Sequence, residues 1–235
     1  MELFANLGAE FILNPINLKN KFNKIKAFVS DWDGVFNAGI KTPKHPSSFS
    51  EPDSMGSNLL RYDYWIRNKS LPGFAIITGA HNPNAYYLAQ RERFDRVYAR
   101  VQNKREALLH YCASQAIEPH QVAFFFDDAN DLSAAEICGL RFWVRRTASP
   151  RFEQFLKKHK LCDYITAHTG AHNAFREISE MLMDLNGTFD RVHKDRMDYN
   201  ESYQKYFGER QAGSTLFLEK KSAREWQEFQ PNPSS

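Results

Sequence analysis

Four short stretches carry side chains that could do chemistry together: Asp31 and Asp33 in SDWDG, Thr78 with Gly79, Lys104, and the acid run Asp127-Asp128-Ala129-Asn130-Asp131. Each is ordinary alone. As a set they meet the needs of phosphoryl transfer to a carboxylate: a nucleophile, a proton donor for the leaving oxygen, groups to hold the phosphoryl oxygens, and ligands for magnesium. Magnesium prefers a few carboxylate oxygens completed by water and substrate phosphate, which Asp31 and Asp127 could supply.

Such a site exists only if the chain gathers these stretches, and the surrounding pattern says how. Ala27 to Val29 is a short apolar run bounded by charge, which reads as a buried strand ending at the first acid pair. Gly73 to Ile77 repeats the form and closes on Thr78-Gly79. Val122 to Phe126 repeats it again and closes on Asp127. Phe94 to Tyr98, Leu140 to Val144 and Asp163 to Thr166 read as further short strands. Between them, helical spacing starts from Gly56, after the Asn82-Pro83 cap signal, and after Asn103. Lys104 stands in the first turn of that last helix, where a cation opposes the helix dipole; a functional reason or a lysine pointing into water would each explain it. Phe175, Ile178, Leu182 and Leu185 mark a later helix.

Alternating strands and helices predict an α/β fold: a three-layer, doubly wound, mostly parallel, Rossmann-like sheet. Ligands bind at the carboxyl ends of strands in such sheets, and there Asp31, Asp33, Thr78, Lys104 and Asp127 would meet. Gly39 to Asp53, with three prolines and three serines, predicts a loop or short hairpin inserted as a flap. Residues 1–25 read as an N-terminal extension whose packing the sequence leaves open, 26–187 as the catalytic domain, and 188–235 as a helical extension and polar tail. The extension carries an aromatic stripe, Phe189, Val192, Tyr199, Tyr203 and Tyr206, expected to bury against the body or a partner subunit.

Composition narrows the class. The 235 residues are 42% hydrophobic, enough for one substantial core. With 31 basic against 28 acidic residues, the net charge of +3 gives no support to a nucleic-acid partner. Cys112, Cys138 and Cys162 lack the paired spacing of a zinc or redox motif and read as reduced core thiols. No run is long enough to span a bilayer and the N-terminus is not a signal peptide, so a cytoplasmic protein without a membrane partner is expected.

Rival sites fail on spacing. A calcium loop from Asp31 would need glycine at Phe36 and glutamate at Thr42, and one from Asp128 would need glutamate at Gly139. No P-loop is present, and a response-regulator receiver orders its residues differently. The order that is present, DxDG, threonine-glycine, lysine, then DDxND, resembles the haloacid dehalogenase (HAD) superfamily of phosphohydrolases over roughly Ile25 to Leu185.

That resemblance implies Asp31 as nucleophile forming an aspartyl-phosphate, and Asp33 as the acid that protonates the leaving alcohol and then activates water. It implies Thr78, Gly79 and Lys104 around the phosphoryl oxygens. Asp31, Asp127 and the carbonyl of Asp33 would hold Mg2+, with Asp128 and Asp131 as auxiliary ligands or partners of Lys104. The short insert, with Phe49, Asp53 and Gly56 in SFSEPDSMGSNLL, is similar to the capless branch of Kdo-8-phosphate and sialic-acid-9-phosphate phosphatases. The branch implies a phosphorylated sugar acid as substrate, Arg176 as a substrate-binding residue, and a homo-oligomer, typically a tetramer.

Three places depart from the branch. Ala80 stands where a basic residue usually follows the threonine-glycine pair. Phe126 replaces a glycine before the paired aspartates and is expected to crowd or redirect the metal loop. His168 and His172, in a segment where the branch is glycine-rich, have helical spacing but no third metal ligand. Phe126 and Ala80 support a second reading: a HAD-like protein with weakened catalysis that serves as a binding or assembly module.

Overall fold

Ala27, Phe28, Val29 and Ser30 are buried on both faces, as a central parallel strand must be. The computed structural model describes residues 1–42, 47–222 and 225–231. In chain order the first half comprises α1 (Glu2–Asn6), β1 (Glu10–Phe11), α2 (Pro15–Phe22), β2 (Ala27–Ser30), α3 (Glu51–Asn68), β3 (Gly73–Ile77), α4 (Pro83–Glu92), β4 (Arg96–Ala99) and α5 (Lys104–Gln115). There follow β5 (Val122–Phe126), α6 (Leu132–Ala135), β6 (Leu140–Trp143), α7 (Pro150–His159), β7 (Tyr164–Ile165), α8 (Ala174–Asn186), α9 (Phe189–Met197), α10 (Glu201–Gln211), β8 (Leu216–Ser222) and β9 (Glu225–Glu228).

The nine strands form one sheet in the order β1-β7-β6-β5-β2-β3-β4-β8-β9, parallel except for the two outermost pairings. From β2 the chain winds outward through β3 and β4, then crosses back to place β5 on the other side of β2. The crevice at such a reversal is where open α/β sheets bind ligands. Register fixes its contents. Ser30 pairs with both Ile76 and Phe125, so Asp31, Thr78 and Asp127 leave the sheet at nearly one level.

Strand alternation sends Phe28, Phe74, Ile76 and Phe125 to one face, under α3, α4 and α8. Val29, Ala75, Phe124 and Phe126 go to the other, under α5, α6 and α7. Phe126 therefore points into the core, fully buried and nearly parallel to Phe124 at 6.0 Å. It does not crowd the acids that follow it, because a period of two puts adjacent side chains on opposite faces.

Leu18 and Phe22 of α2 are buried in the main core, a packing the sequence left open. Two further expectations change. Leu216–Leu218, read as polar tail, belong to β8, which runs parallel beside β4 and extends the sheet. α3 begins at Glu51, ahead of Gly56: Ser50 accepts from the Asp53 N–H at 3.2 Å and Pro52 sits in the first turn, a complete start signal. Among the described residues of 39–53 no strand forms, and residues 43–46 of the expected flap lie outside the described residues.

The aromatic stripe of α9 and α10 buries Val192, Tyr203 and Tyr206 against Leu59, Tyr62 and Trp65 of its own chain's α3. All three cysteines are buried and unpaired. Among the described residues, no helix is long and apolar enough to cross a membrane.

Candidate active site

Asp31 is the first residue beyond β2, only 5% exposed, its backbone N–H tied to the Phe125 carbonyl at 2.9 Å. Lys104, from the first turn of α5, reaches it with Nζ 2.6 Å from Oδ1 and lies 2.5 Å from Asp131 Oδ1. Burial alone would lower the Lys104 pKa, but Asp31 and Asp131 outweigh it and hold the ammonium charged well above its ordinary value. The cation that disfavours its own helix start is therefore placed for the site, not for solvent.

Asp31, Asp127 and Asp131 each offer a carboxylate oxygen within 4.8 Å of the others, and all three are buried. Burial, with Asp31 and Asp131 adding to it against Arg146, pushes Asp127 up to about 8. Burial and Asp31, opposed by Lys104, push Asp131 up to about 7. The upward shifts of Asp127 and Asp131 show that the cluster, even with Lys104 and Arg146 beside it, resists full ionisation. A buried all-oxygen donor set whose ionisation a bound cation would favour suits a hard divalent cation, and these residues fit one.

Thr78 is fully buried at the end of β3, and its hydroxyl accepts from Asn82 Nδ2 at 2.7 Å. The same amide donates to Asp33 Oδ2 at 3.0 Å, making Asn82 a tie between the two. Lys41 Nζ lies 2.6 Å from Asp33 Oδ2, and Ser47 donates to Asp33 Oδ1. A cleft of about 210 Å³, lined among others by Asp31, Asp33, Gly79, Asp127 and Asp128, joins these groups. Asp33 and Asp128 line it from outside the carboxylate cluster. Asp128 is exposed and caps its own turn, accepting from the Ala129 N–H at 2.7 Å.

Gly34, at φ +88°, is where the chain turns away, and a Cβ there would collide with the Asp127 carboxylate. Gly170 packs on the same turn, against the carbonyls of Gly34 and Asn37. Its loop is held by Glu177, which accepts from Tyr164 Oη at 2.7 Å and from the N–H groups of Ala167 and His168 at 2.9 Å. His168 Nδ1 lies 2.8 Å from Glu177, whereas His172 Nδ1 contacts Thr169, so the two histidines have separate partners.

Arg176 is not brought to the cleft. Its Nε donates to Glu180 at 2.6 Å and its backbone N–H to Asp53 at 2.9 Å, at the contact of α8 with α3. A Cβ at Gly56 would sit 3.1 Å from the Arg176 Cα, so Asp53 and Gly56 serve helix packing. Burial pushes Asp53 up to about 6.

Three cleft residues escape the sequence: Asn82, Lys41 and Arg146. Asn82 reads as a helix cap, yet makes no capping bond with its side chain, which is committed to Thr78 and Asp33. Arg146 follows β6 and contacts Asp127 through both Nε and Nη2. Its place just past the carboxyl end of β6 is the same kind of position that marks Asp31 after β2.

No protein-family model matches the sequence. Solved structures do resemble it. A 3-deoxy-D-manno-octulosonate 8-phosphate phosphatase from Moraxella catarrhalis, solved with magnesium, phosphate and KDO, is 25% identical, with TM-score 0.62 over 75% of this chain and 96% of that one. A HAD superfamily subfamily III A hydrolase from Legionella pneumophila is 24% identical, with TM-score 0.64 over 81% and 95%. The cobalt-bound octulosonate 8-phosphate phosphatase of Haemophilus influenzae is 22% identical, with TM-score 0.59 over 72% and 93%. The fold is that of the haloacid dehalogenase superfamily. Within that fold, α9, α10, β8 and β9 extend the chain past α8, and the site geometry above rests on β2, β3, β5 and α5.

Proposed function

We propose that the protein is a divalent-metal-dependent phosphomonoester hydrolase acting on a small phosphorylated metabolite, with a sugar acid as the substrate class. The observation that carries this reading is the buried constellation of Asp31, Lys104, Asp127 and Asp131 at the sheet's switch point. The phosphatases among the structural neighbours support it.

In this reading Asp31 attacks phosphorus in line, forming an aspartyl-phosphate as the bond to the leaving oxygen breaks. Asp33 gives that oxygen its proton, then takes one from the water that attacks the aspartyl-phosphate, releasing phosphate and restoring Asp31. Lys104 and Thr78 hold the phosphoryl oxygens, Thr78 oriented by Asn82. Asp31 and Asp127, with the Asp33 carbonyl, would hold magnesium, which supplies charge neutralisation to the phosphoryl group. Asp131 fixes Lys104, and Asp128 shapes the loop.

The family resemblance favours a homo-oligomer, a tetramer by analogy, and the unpaired buried thiols favour a cytoplasmic setting. The binding-module alternative loses its main support, since Phe126 faces the core. A screen of sugar phosphates and p-nitrophenyl phosphate, with and without Mg2+, tests the function. Metal-dependent phosphate release is expected; silence from well-folded protein across the panel would reject it.

A further inference from the structure

Beside the catalytic cleft lies a second cavity of about 300 Å³, and Arg146 and Asp128 line both. Its other walls include the Gly34–Asn37 turn, the Thr147–Ser149 loop and the Thr169–Gly170 turn. It adjoins the catalytic cleft, and it contains one cation with a loose attachment, Arg146.

Arg145 and Arg146 are neighbours in sequence with opposite situations. Arg145 is committed: Nη2 is 2.6 Å from Glu10, Nε 3.3 Å from Glu153, and Nη1 donates to the Gly8 carbonyl at 2.7 Å. Arg146, with a side chain 37% exposed, has among the described residues only Asp127 as partner, and both contacts fall on the same oxygen, Oδ2. Its Nη1 has no partner there. That oxygen belongs to a carboxylate that a divalent cation would also use.

Charge makes the two uses alternatives. Among the described residues Lys104 and Arg146 are the cations in contact with the three acids, and a divalent ion would add two positive charges to that balance. Arg146 then becomes the surplus cation at the rim of the second cavity. Lys41, in the catalytic cleft, does not line the second cavity and is paired with Asp33. A guanidinium pairs a carboxylate through two parallel N–H bonds. The cavity's hydroxyls, on Thr147, Ser149 and Thr169, suit a polyol, and Ser149 makes no capping bond that would occupy it.

We infer that Arg146 is a displaceable counter-ion and the residue that selects the substrate: it neutralises Asp127 in the metal-free protein. When metal takes that carboxylate, it turns to pair a carboxylate on the hydroxyl-rich alcohol half of the substrate in the adjoining cavity. This rests on the phosphatase reading for its substrate half, but not for its metal half.

Two measurements test it. Isothermal titration of Mn2+ into wild type and Arg146→Gln, both verified folded by circular dichroism, is expected to show about five- to tenfold tighter metal binding in the variant, because a competing cation is gone. Equal or weaker binding would overturn the displacement, whatever the enzyme does.

The second compares kcat/KM for 6-phosphogluconate and glucitol 6-phosphate, which differ by a carboxylate. Wild type is expected to prefer the acid, and Arg146→Gln to lower that preference roughly tenfold or more, chiefly through KM, with Arg146→Lys restoring part of it. Wild type that hydrolyses p-nitrophenyl phosphate but shows no preference for the acid, or a preference unchanged in Arg146→Gln, would sink the selection role alone. Wild type that hydrolyses nothing would sink the phosphatase reading instead, and the selection role with it.

Discussion

The two walls of the cleft are built differently. On one, Thr78 and Lys104 are essentially unexposed, and Asn82 ties Thr78 to Asp33. On the other, Arg146 is over a third exposed and held by one carboxylate oxygen, on a loop that also carries the hydroxyls of Thr147 and Ser149. The first wall stands at strand ends whose register the sheet dictates. The second stands on connections that the sheet does not constrain. In the proposed reaction the groups that would meet the phosphoryl unit, common to all phosphomonoesters, are fixed before substrate arrives, and those that would meet the variable alcohol remain adjustable. Preorganised charge is most effective where the reacting atoms are constant.

The largest effect should come from the fixed wall's centre. Asp31→Asn is expected to lower kcat by about 10⁴-fold or more, since it removes the proposed nucleophile, with the thermal midpoint and circular dichroism retained. Activity within tenfold of wild type would break the comparison, because the reacting carboxylate would lie elsewhere.

The next concerns the scaffold shared by both walls. Asp53 joins α3 to α8, whose Glu177 holds the loop bearing Gly170. Its pKa is raised to about 6 by burial, so the folded protein keeps a proton that the unfolded chain has released. Stability from this group therefore falls as pH rises from about 4 to about 6, by roughly 2 kcal/mol. Asp53→Asn can keep both hydrogen bonds without the charge. Chemical denaturation at both pH values should show that loss removed in the variant; an unchanged pH dependence would place the titration elsewhere.

The smallest is Asn82→Ala, expected to reduce kcat about tenfold through the lost tie between Thr78 and Asp33, with KM less affected. A change confined to KM would mean that Asn82 reads substrate, and the distinction between fixed and adjustable walls would shift by one residue.

The sequence by itself determined the alternation of elements, the central strand, and the chemistry-bearing residues: Asp31, Thr78 and Asp127 at strand ends and Lys104 at a helix start. The first three were legible because each follows an apolar run whose end is marked by composition, and parallel strands must point the same way. Only the tertiary structure decided which residues face each other across the cleft. Phe126 lies beside Asp127 in sequence yet belongs to the opposite face of the sheet. Arg176 was placed near substrate by resemblance, yet is held at a helix contact. Leu216–Leu218 are a strand only because β4 offers an unpaired edge. Asn82 and Arg146 depend on partners far away in sequence, at Asp33 and Asp127, and no local pattern records such a pairing. Periodicity reports how a segment meets its own core, whereas a site is made by segments meeting each other.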